Sequence, residues 1–156
     1  MLLLRKPTVR DVPRMIELMA PGVRNEALLP RSARAVVERL RDYVVVEARG
    51  ELVGLASVSL LSEDLAEVGA VVWQDSAQLG LLLDAALDEA RALGVSRAFV
   101  MAPDAAPYEA LGFARQPIAS LPEKRDHQCL RCARLPRCRQ LALVKELEAV
   151  VRAQAA

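Results

Sequence analysis

Residues 65–94 read LAEVGAVVWQDSAQLGLLLDAALDEARALG, and the way this stretch divides decides the fold. Leu65 to Trp73 is short, Val-rich and almost continuously apolar, the pattern of a strand covered on both faces. From Leu79 the apolar residues recur at Leu82, Leu83, Ala86, Ala90 and Leu93, in steps of three and four that gather them on one side of an α-helix. Gly94 supplies the stop, because glycine takes the left-handed conformation that helix C-termini often need. A strand running directly into a helix leaves the helix's first N–H groups, and the positive end of its dipole, in a crevice beside the sheet. That is an anion site. The turn between them is QDSAQLG, Gln74 to Gly80, in which Asp75 (or Ser76) with Gln78 three residues after Asp75 is a capping-box signature. A carboxylate capping those amides would compete with an incoming anion.

The totals bound the answer around this stretch. The chain of 156 residues suits one domain with a sizeable core, and a formal net charge of +1 gives no general attraction to nucleic acid or to a membrane. No segment has the length of an uninterrupted apolar span, and MLLLRKP is too short for a signal peptide, so the expectation is a soluble, cytoplasmic protein. Aromatic residues are 3% of the chain, too few for a base-stacking platform.

Before the central stretch, Thr8 to Ala20 reads as a helix with Asp11 as N-cap and Pro13 in the first turn, ended by Pro21-Gly22. Ser32 can cap a second helix with Val36, Val37 and Leu40 on its apolar side. Tyr43 to Ala48 and Leu52 to Leu60 form a hairpin around Arg49-Gly50-Glu51. After the stretch come a strand over Val95 to Met101, a short helix over Asp104 to Leu111 stopped by Gly112, and a strand over Phe113 to Ile118. Leu141, Val144, Leu147, Val150 and Val151 fit helical spacing. The order of elements gives a single α/β domain on a mixed sheet.

The segments RKPTVRDVPRM, LLPRS (Leu28 to Ser32), VVVEARGELVGLASV, LAEVGAVV, YEALGF and LPEKRDHQCLRCARLPRCRQLALVKEL follow one another along nearly the whole chain. Together they resemble the GCN5-related N-acetyltransferase (GNAT) superfamily, and within it the stand-alone N-acetylglutamate synthase-like amino-acid N-acetyltransferases. YEALGF and the hairpin are superfamily-level signals; LLPRS and the clustered cysteines point to the narrower branch. The resemblance implies a mixed, mostly antiparallel sheet flanked by helices, with a core over 1–122 and a cysteine-containing segment over 123–156 of the same domain, and it favours a final strand over Gln140 to Leu147 in place of the closing helix. It also implies acetyl-CoA as cosubstrate, an amino acid such as glutamate as acceptor, a place in arginine biosynthesis, and no nucleic-acid or membrane partner. A homodimer is left open. The family's turn normally carries Arg/Gln-x-x-Gly-x-Gly/Ala around the cofactor's pyrophosphate, and QDSAQLG is shorter, with one glycine.

Carried over residue by residue, Arg31, with Ser32 beside it, resembles the arginine that holds the acceptor's α-carboxylate, a task suited to the guanidinium fork. Glu67 matches the base that deprotonates the amine, and its apolar neighbours Ala66 and Val68 would raise its pKa. Tyr108 matches the tyrosine that protonates the departing thiolate, since a phenol's pKa lies near that of a thiol. Val71, Val72, Trp73, Gln78, Leu79 and Gly80 would line the cofactor. Each has a plainer alternative: a solvated arginine, a strand-edge glutamate, a packing tyrosine.

All three cysteines fall within ten residues, and with no export signal they read as thiols or a metal site rather than disulfides. His127, Cys129, Cys132 and Cys138 have a spacing that could close a tetrahedral structural zinc, a loop of reduced thiols being the alternative. Arg125, Arg131, Arg134, Arg137 and Arg139 surround them without an interleaved aromatic, so they are read as solvated or facing substrate. Two functions remain: acetyl transfer to an α-amine, or a non-catalytic binding or regulatory module of the same fold whose phosphate turn is degenerate.

Overall fold

Local sequence chemistry builds each element of the computed structural model, which describes residues 1–148. In chain order these are β1 (Leu2–Arg5), α1 (Val12–Arg24), α2 (Ala33–Glu38), β2 (Tyr43–Ala48), β3 (Glu51–Leu60), β4 (Leu65–Val72), α3 (Ser76–Ala92), β5 (Arg97–Ala102), α4 (Ala106–Glu109), β6 (Ala114–Gln116), α5 (Pro122–Arg125) and β7 (Leu141–Glu146). The strands form one seven-stranded sheet in the order β1-β2-β3-β4-β5-β7-β6. Only β4 and β5 run parallel; every other neighbouring pair is antiparallel. The expected mixed, mostly antiparallel sheet flanked by helices is the observed fold.

Turns and caps follow from residue type. Arg49 and Gly50 both have positive φ, 53° and 81°, the pair of left-handed residues that a tight hairpin between twisted strands requires. The Ser32 hydroxyl accepts from the Ala35 amide at 3.1 Å and starts α2. Several expectations need correction. The edge strand β1 carries no alternating pattern and was not expected. The first helix continues through Pro21 to Arg24, because near a C-terminus a proline forfeits only one intrahelical bond. Asp11 stands at the N-cap position of α1 without capping it; its carboxylate is taken by Arg5 at 2.8 Å and by the Thr8 amide at 2.7 Å. Val37 is exposed, while Val36 is buried. The closing segment is a strand over Leu141–Glu146, not a helix, and Val150 and Val151 lie outside the described residues.

The core has three apolar parts, and their placement around β4 is what shapes the site. Ala66, Val68 and Val71 face α3, where they meet Leu79, Leu82 and Leu83. On the other face, Ala70 and Val72 pack with Met15 and Met19 of α1, and Leu65 packs with Phe99 and Leu121. The switch of faces within β4 comes from a bulge: Val58 opposes Val68 and Ala56 opposes Val71, so the single residue Ser57 stands against both Gly69 and Ala70. At Gly54 a Cβ would lie 2.8 Å from the Val72 carbonyl oxygen and 3.2 Å from Leu82, so only glycine lets β3, the end of β4 and α3 approach this closely.

Candidate active site

The central feature is a gap in the sheet. β4 and β5 pair at Leu65–Arg97, Ala66–Ala98 and Glu67–Phe99, and no further, although β4 continues to Val72 and β5 to Ala102. β5 stays joined to β7 over its whole length, and β4 stays joined to β3. The two middle strands therefore separate beyond Glu67, and the β5-facing backbone edge of residues 68–72 has no partner strand among the described residues. Exposed strand edges offer N–H and C=O groups to an extended ligand.

At the end of this gap stands the N-terminus of α3. Asp75 Oδ1 accepts from the Gln78 amide at 3.0 Å, the Gln78 side-chain amide donates to Asp75 Oδ2 at 3.2 Å, and the Gln74 amide donates to Gln78 Oε1 at 2.9 Å. The capping signature read in the sequence is thus formed. It engages fewer groups than it might: the Leu79 amide bonds the Asp75 carbonyl, while the Ser76 and Ala77 amides find no acceptor among the described residues. Gln78 and Leu79, expected to line the cofactor, use their amides within this cap. Both side chains are buried, that of Leu79 in the core, and the amides free to meet an anion are those of Ser76 and Ala77. Val71, Val72 and Trp73 are half-buried on the gap's rim, and Gly80 has open space where a Cβ would project.

Trp73, just past β4, and Tyr108, on α4 after β5, come together across the gap's α3 side, in the same apolar cluster. Tyr108 meets Phe113 edge-to-face at 6.1 Å between ring centroids. Burial pushes the Tyr108 phenol above its ordinary pKa, with a smaller opposite pull from the Trp73 indole. The hydroxyl is therefore held protonated at neutral pH.

The sheet face opposite α3 carries a polar set between its two apolar parts. Arg31 Nη1 donates to Tyr43 Oη at 2.6 Å and to Ser57 Oγ at 3.4 Å, with the guanidinium 5.9 Å from the Tyr43 ring centroid. Ser57 Oγ in turn donates to the Gly69 carbonyl at the bulge. One edge of the Arg31 fork is thus anchored, and Nε and Nη2, the edge suited to a carboxylate, donate to nothing among the described residues. Arg31 also lines a cavity of about 250 Å³ with Ile16, Met19, Val23 and Pro30. A larger cavity of about 440 Å³, around Arg5, Arg10 and Gly50, shares no residue with this set. Ser32 is exposed, and its oxygen is occupied as the α2 cap.

Glu67 lies on this same face. Ala66 and Val68 do not surround it, since adjacent residues of a strand point to opposite faces and both are buried under α3. Its neighbour is Lys124 of α5, whose Nζ donates to Glu67 Oε1 at 2.8 Å and to Gln128 Oε1 at 2.7 Å. Tyr43, Ser57 and Lys124 were missed by sequence reasoning; no local pattern marks them, because strand pairing and a contact 57 positions apart bring them to the site.

The cysteine segment takes a different role from the expected one. His127, Cys129, Cys132 and Cys138 do not form a group of three or more ligands able to hold a metal among the described residues. The intervening chain folds into two 3-10 turns, at Cys129–Arg131 and Leu135–Arg137, with Cys129 and Cys132 half-buried and Cys138 exposed. Burial pushes the Cys129 thiol up, which favours the protonated form. The arginines tie this segment to the loop ahead of Arg31: Arg134 donates to the Leu28 carbonyl at 2.7 Å, Arg137 pairs with Glu26 at 3.1 Å, and Gln140 donates to the Ala27 carbonyl at 2.9 Å. No helix among the described residues is long and apolar enough to cross a membrane.

No family model matches the chain. It is 29% identical over 131 residues to an amino-acid acetyltransferase of Mannheimia succiniciproducens, covering 80% of this chain and 30% of that protein. It is 25% identical over 127 residues to an uncharacterised N-acetyltransferase of Chlorobaculum tepidum, covering 77% of this chain and 80% of the other. The chain thus spans 30% of the length of the first of these relatives. Among solved structures, N-acetylglutamate synthase from Neisseria gonorrhoeae, complexed with coenzyme A and N-acetyl-glutamate, superposes with a TM-score of 0.80 at 24% identity, over 95% of this chain and 35% of that one. A Mycobacterium tuberculosis protein in complex with CoA gives 0.77 at 19% identity, over 94% of this chain and 99% of the other. With this strand order, this gap and these relatives, the chain is a domain of GCN5-related N-acetyltransferase fold, similar to the N-acetylglutamate synthase-like, amino-acid branch of that superfamily.

Proposed function

We propose that the protein transfers an acetyl group from acetyl-CoA to the α-amine of an amino acid, with glutamate-like acceptors first. The observation that carries this reading is the separation of β4 from β5 beyond Glu67, ending at the amides of Ser76 and Ala77. An extended pantetheine arm would lie along the free edge of residues 68–72, and its diphosphate against those amides. The acceptor would approach from the opposite face. There the free edge of Arg31 holds its α-carboxylate, and Glu67 takes the proton from its ammonium. The freed amine attacks the thioester carbonyl and a β4 backbone N–H steadies the oxyanion; as the intermediate collapses the C–S bond breaks, the departing thiolate takes the Tyr108 phenol proton, and the proton shed by the new amide nitrogen restores the phenol. No covalent enzyme intermediate is needed.

A binding module of the same fold is the second reading, and the Asp75 cap favours it by taking one of the three leading amides of α3. One experiment separates the two: thiol release from acetyl-CoA against a panel of amino acids and polyamines, with calorimetric titration of acetyl-CoA alongside. Release with an amino acid supports the enzyme. Absence of both release and binding removes it.

A further inference from the structure

The geometry points to Lys124 as the positioning residue of the proton-accepting carboxylate: it takes one oxygen of Glu67 and thereby aims the other at the open gap. This rests on the acetyltransfer reading above. The pair is well covered, with side chains 13% and 15% exposed, and it joins β4 to the segment that leads into the cysteines. Lys124 is placed there by its own neighbourhood. Leu121, fully buried, packs with Leu65, two positions before Glu67 on the same face, and with Phe99, the register partner of Glu67 on β5. The Lys124 amide bonds the Leu121 carbonyl at 3.0 Å, so one short helical turn carries the ammonium from that anchor to the carboxylate. Gln128 then holds Nζ from the far side at 2.7 Å.

The consequence lies in the oxygen left over. Oε1 is committed to Lys124, whereas Oε2 points along β4, about 4.0 Å from where a Cβ on Gly69 would stand. The Gly69 carbonyl is held by Ser57, which Arg31 touches. Oε2, the bulge and the carboxylate-binding arginine are thus contiguous, and a free Glu67 side chain would spread over several rotamers instead of this one.

The test is steady-state thiol release by Lys124→Gln, Lys124→Arg and Gln128→Leu, with melting temperatures for each. Misplacing a general base should cost kcat roughly tenfold or more, with KM for acetyl-CoA unchanged, in Lys124→Gln. Lys124→Arg should recover most of that loss, because it restores a cation on the same oxygen. Gln128 is exposed, so Gln128→Leu keeps the fold even if Lys124→Gln does not; loosening Nζ should lower kcat roughly threefold. Wild-type kcat in Lys124→Gln or in a folded Gln128→Leu overturns the inference, as does a loss confined to KM. No release by the wild-type protein overturns the acetyltransfer reading, and this inference with it; release that both variants leave unchanged overturns this inference alone.

Discussion

Removing the Asp75 cap should tighten the binding of coenzyme A. In Asp75→Gly the Gln78 amide, now bonded to Asp75 Oδ1 at 3.0 Å, joins those of Ser76 and Ala77 as a donor at the head of α3. Glycine is itself an acceptable cap, so the helix loses only a few tenths of a kcal/mol on that account. The side-chain bond from Gln78 to Asp75 Oδ2 is lost too, but Gln78 keeps its bond from the Gln74 amide. A total cost of about 1 kcal/mol would lower the melting temperature by roughly 2–4 °C in a domain of this size. Against this, one more hydrogen bond to a charged group contributes about 1.5–3 kcal/mol, and each 1.4 kcal/mol is tenfold in affinity. The expected result is a dissociation constant about 10- to 100-fold lower. Calorimetry reads it directly, and the fluorescence of Trp73, on the rim of the gap, reads it independently. Asp75→Asn keeps a capping oxygen but removes the negative charge, so it should show a smaller gain that reports repulsion alone. Unchanged or weaker binding by a stably folded Asp75→Gly would refute the placement of the diphosphate on these amides.

Other consequences follow from the same geometry. Arg31→Met should raise KM for the acceptor about 10- to 100-fold while leaving that for acetyl-CoA unchanged, and Arg31→Lys should not restore it, since an ammonium cannot bind a carboxylate bidentately; equal effects on both substrates would contradict the assignment. Tyr108→Phe should lower kcat and also flatten the alkaline stability profile. Burial raises the phenol's pKa, so the native state holds this proton more tightly than the unfolded chain, and wild-type stability falls as pH rises above about 10; urea titrations at pH 9 and pH 11 compare the two proteins. At the acid end, Arg5 holds the Asp11 carboxyl down at about 2. Because that folded value lies below the unfolded one, the pair's stabilisation is present above about pH 4 and lost as pH falls toward 2; Asp11→Asn should remove that slope. Since the cysteines form no metal-holding group among the described residues, a chelator should leave the melting temperature unchanged, and a drop would show that they converge on a metal after all.

The sequence by itself determined what is decided within a few residues. The apolar run and the three-and-four spacing after it made β4 and α3; Ser32, Gly94 and Gly112 set helix ends; Asp75 and Gln78 announced the cap that forms. Propensity, periodicity and capping act over one or two turns of chain, and so they can be read without knowing what lies opposite. Tertiary structure alone decided the rest. A two-for-one bulge opposite Ser57 exchanged the faces of β4 beyond Val68, and no pattern along one strand reveals the register of its partner. The gap opens because β5 follows β7 and leaves β4, a matter of pairing between segments far apart. Lys124 reaches Glu67 across 57 positions, on a turn anchored by Leu121, and the turns of the cysteine segment carry Arg134 and Arg137 to the loop before Arg31. Contacts of that kind are fixed only when the core closes, because it is packing, not local preference, that selects which distant side chains meet.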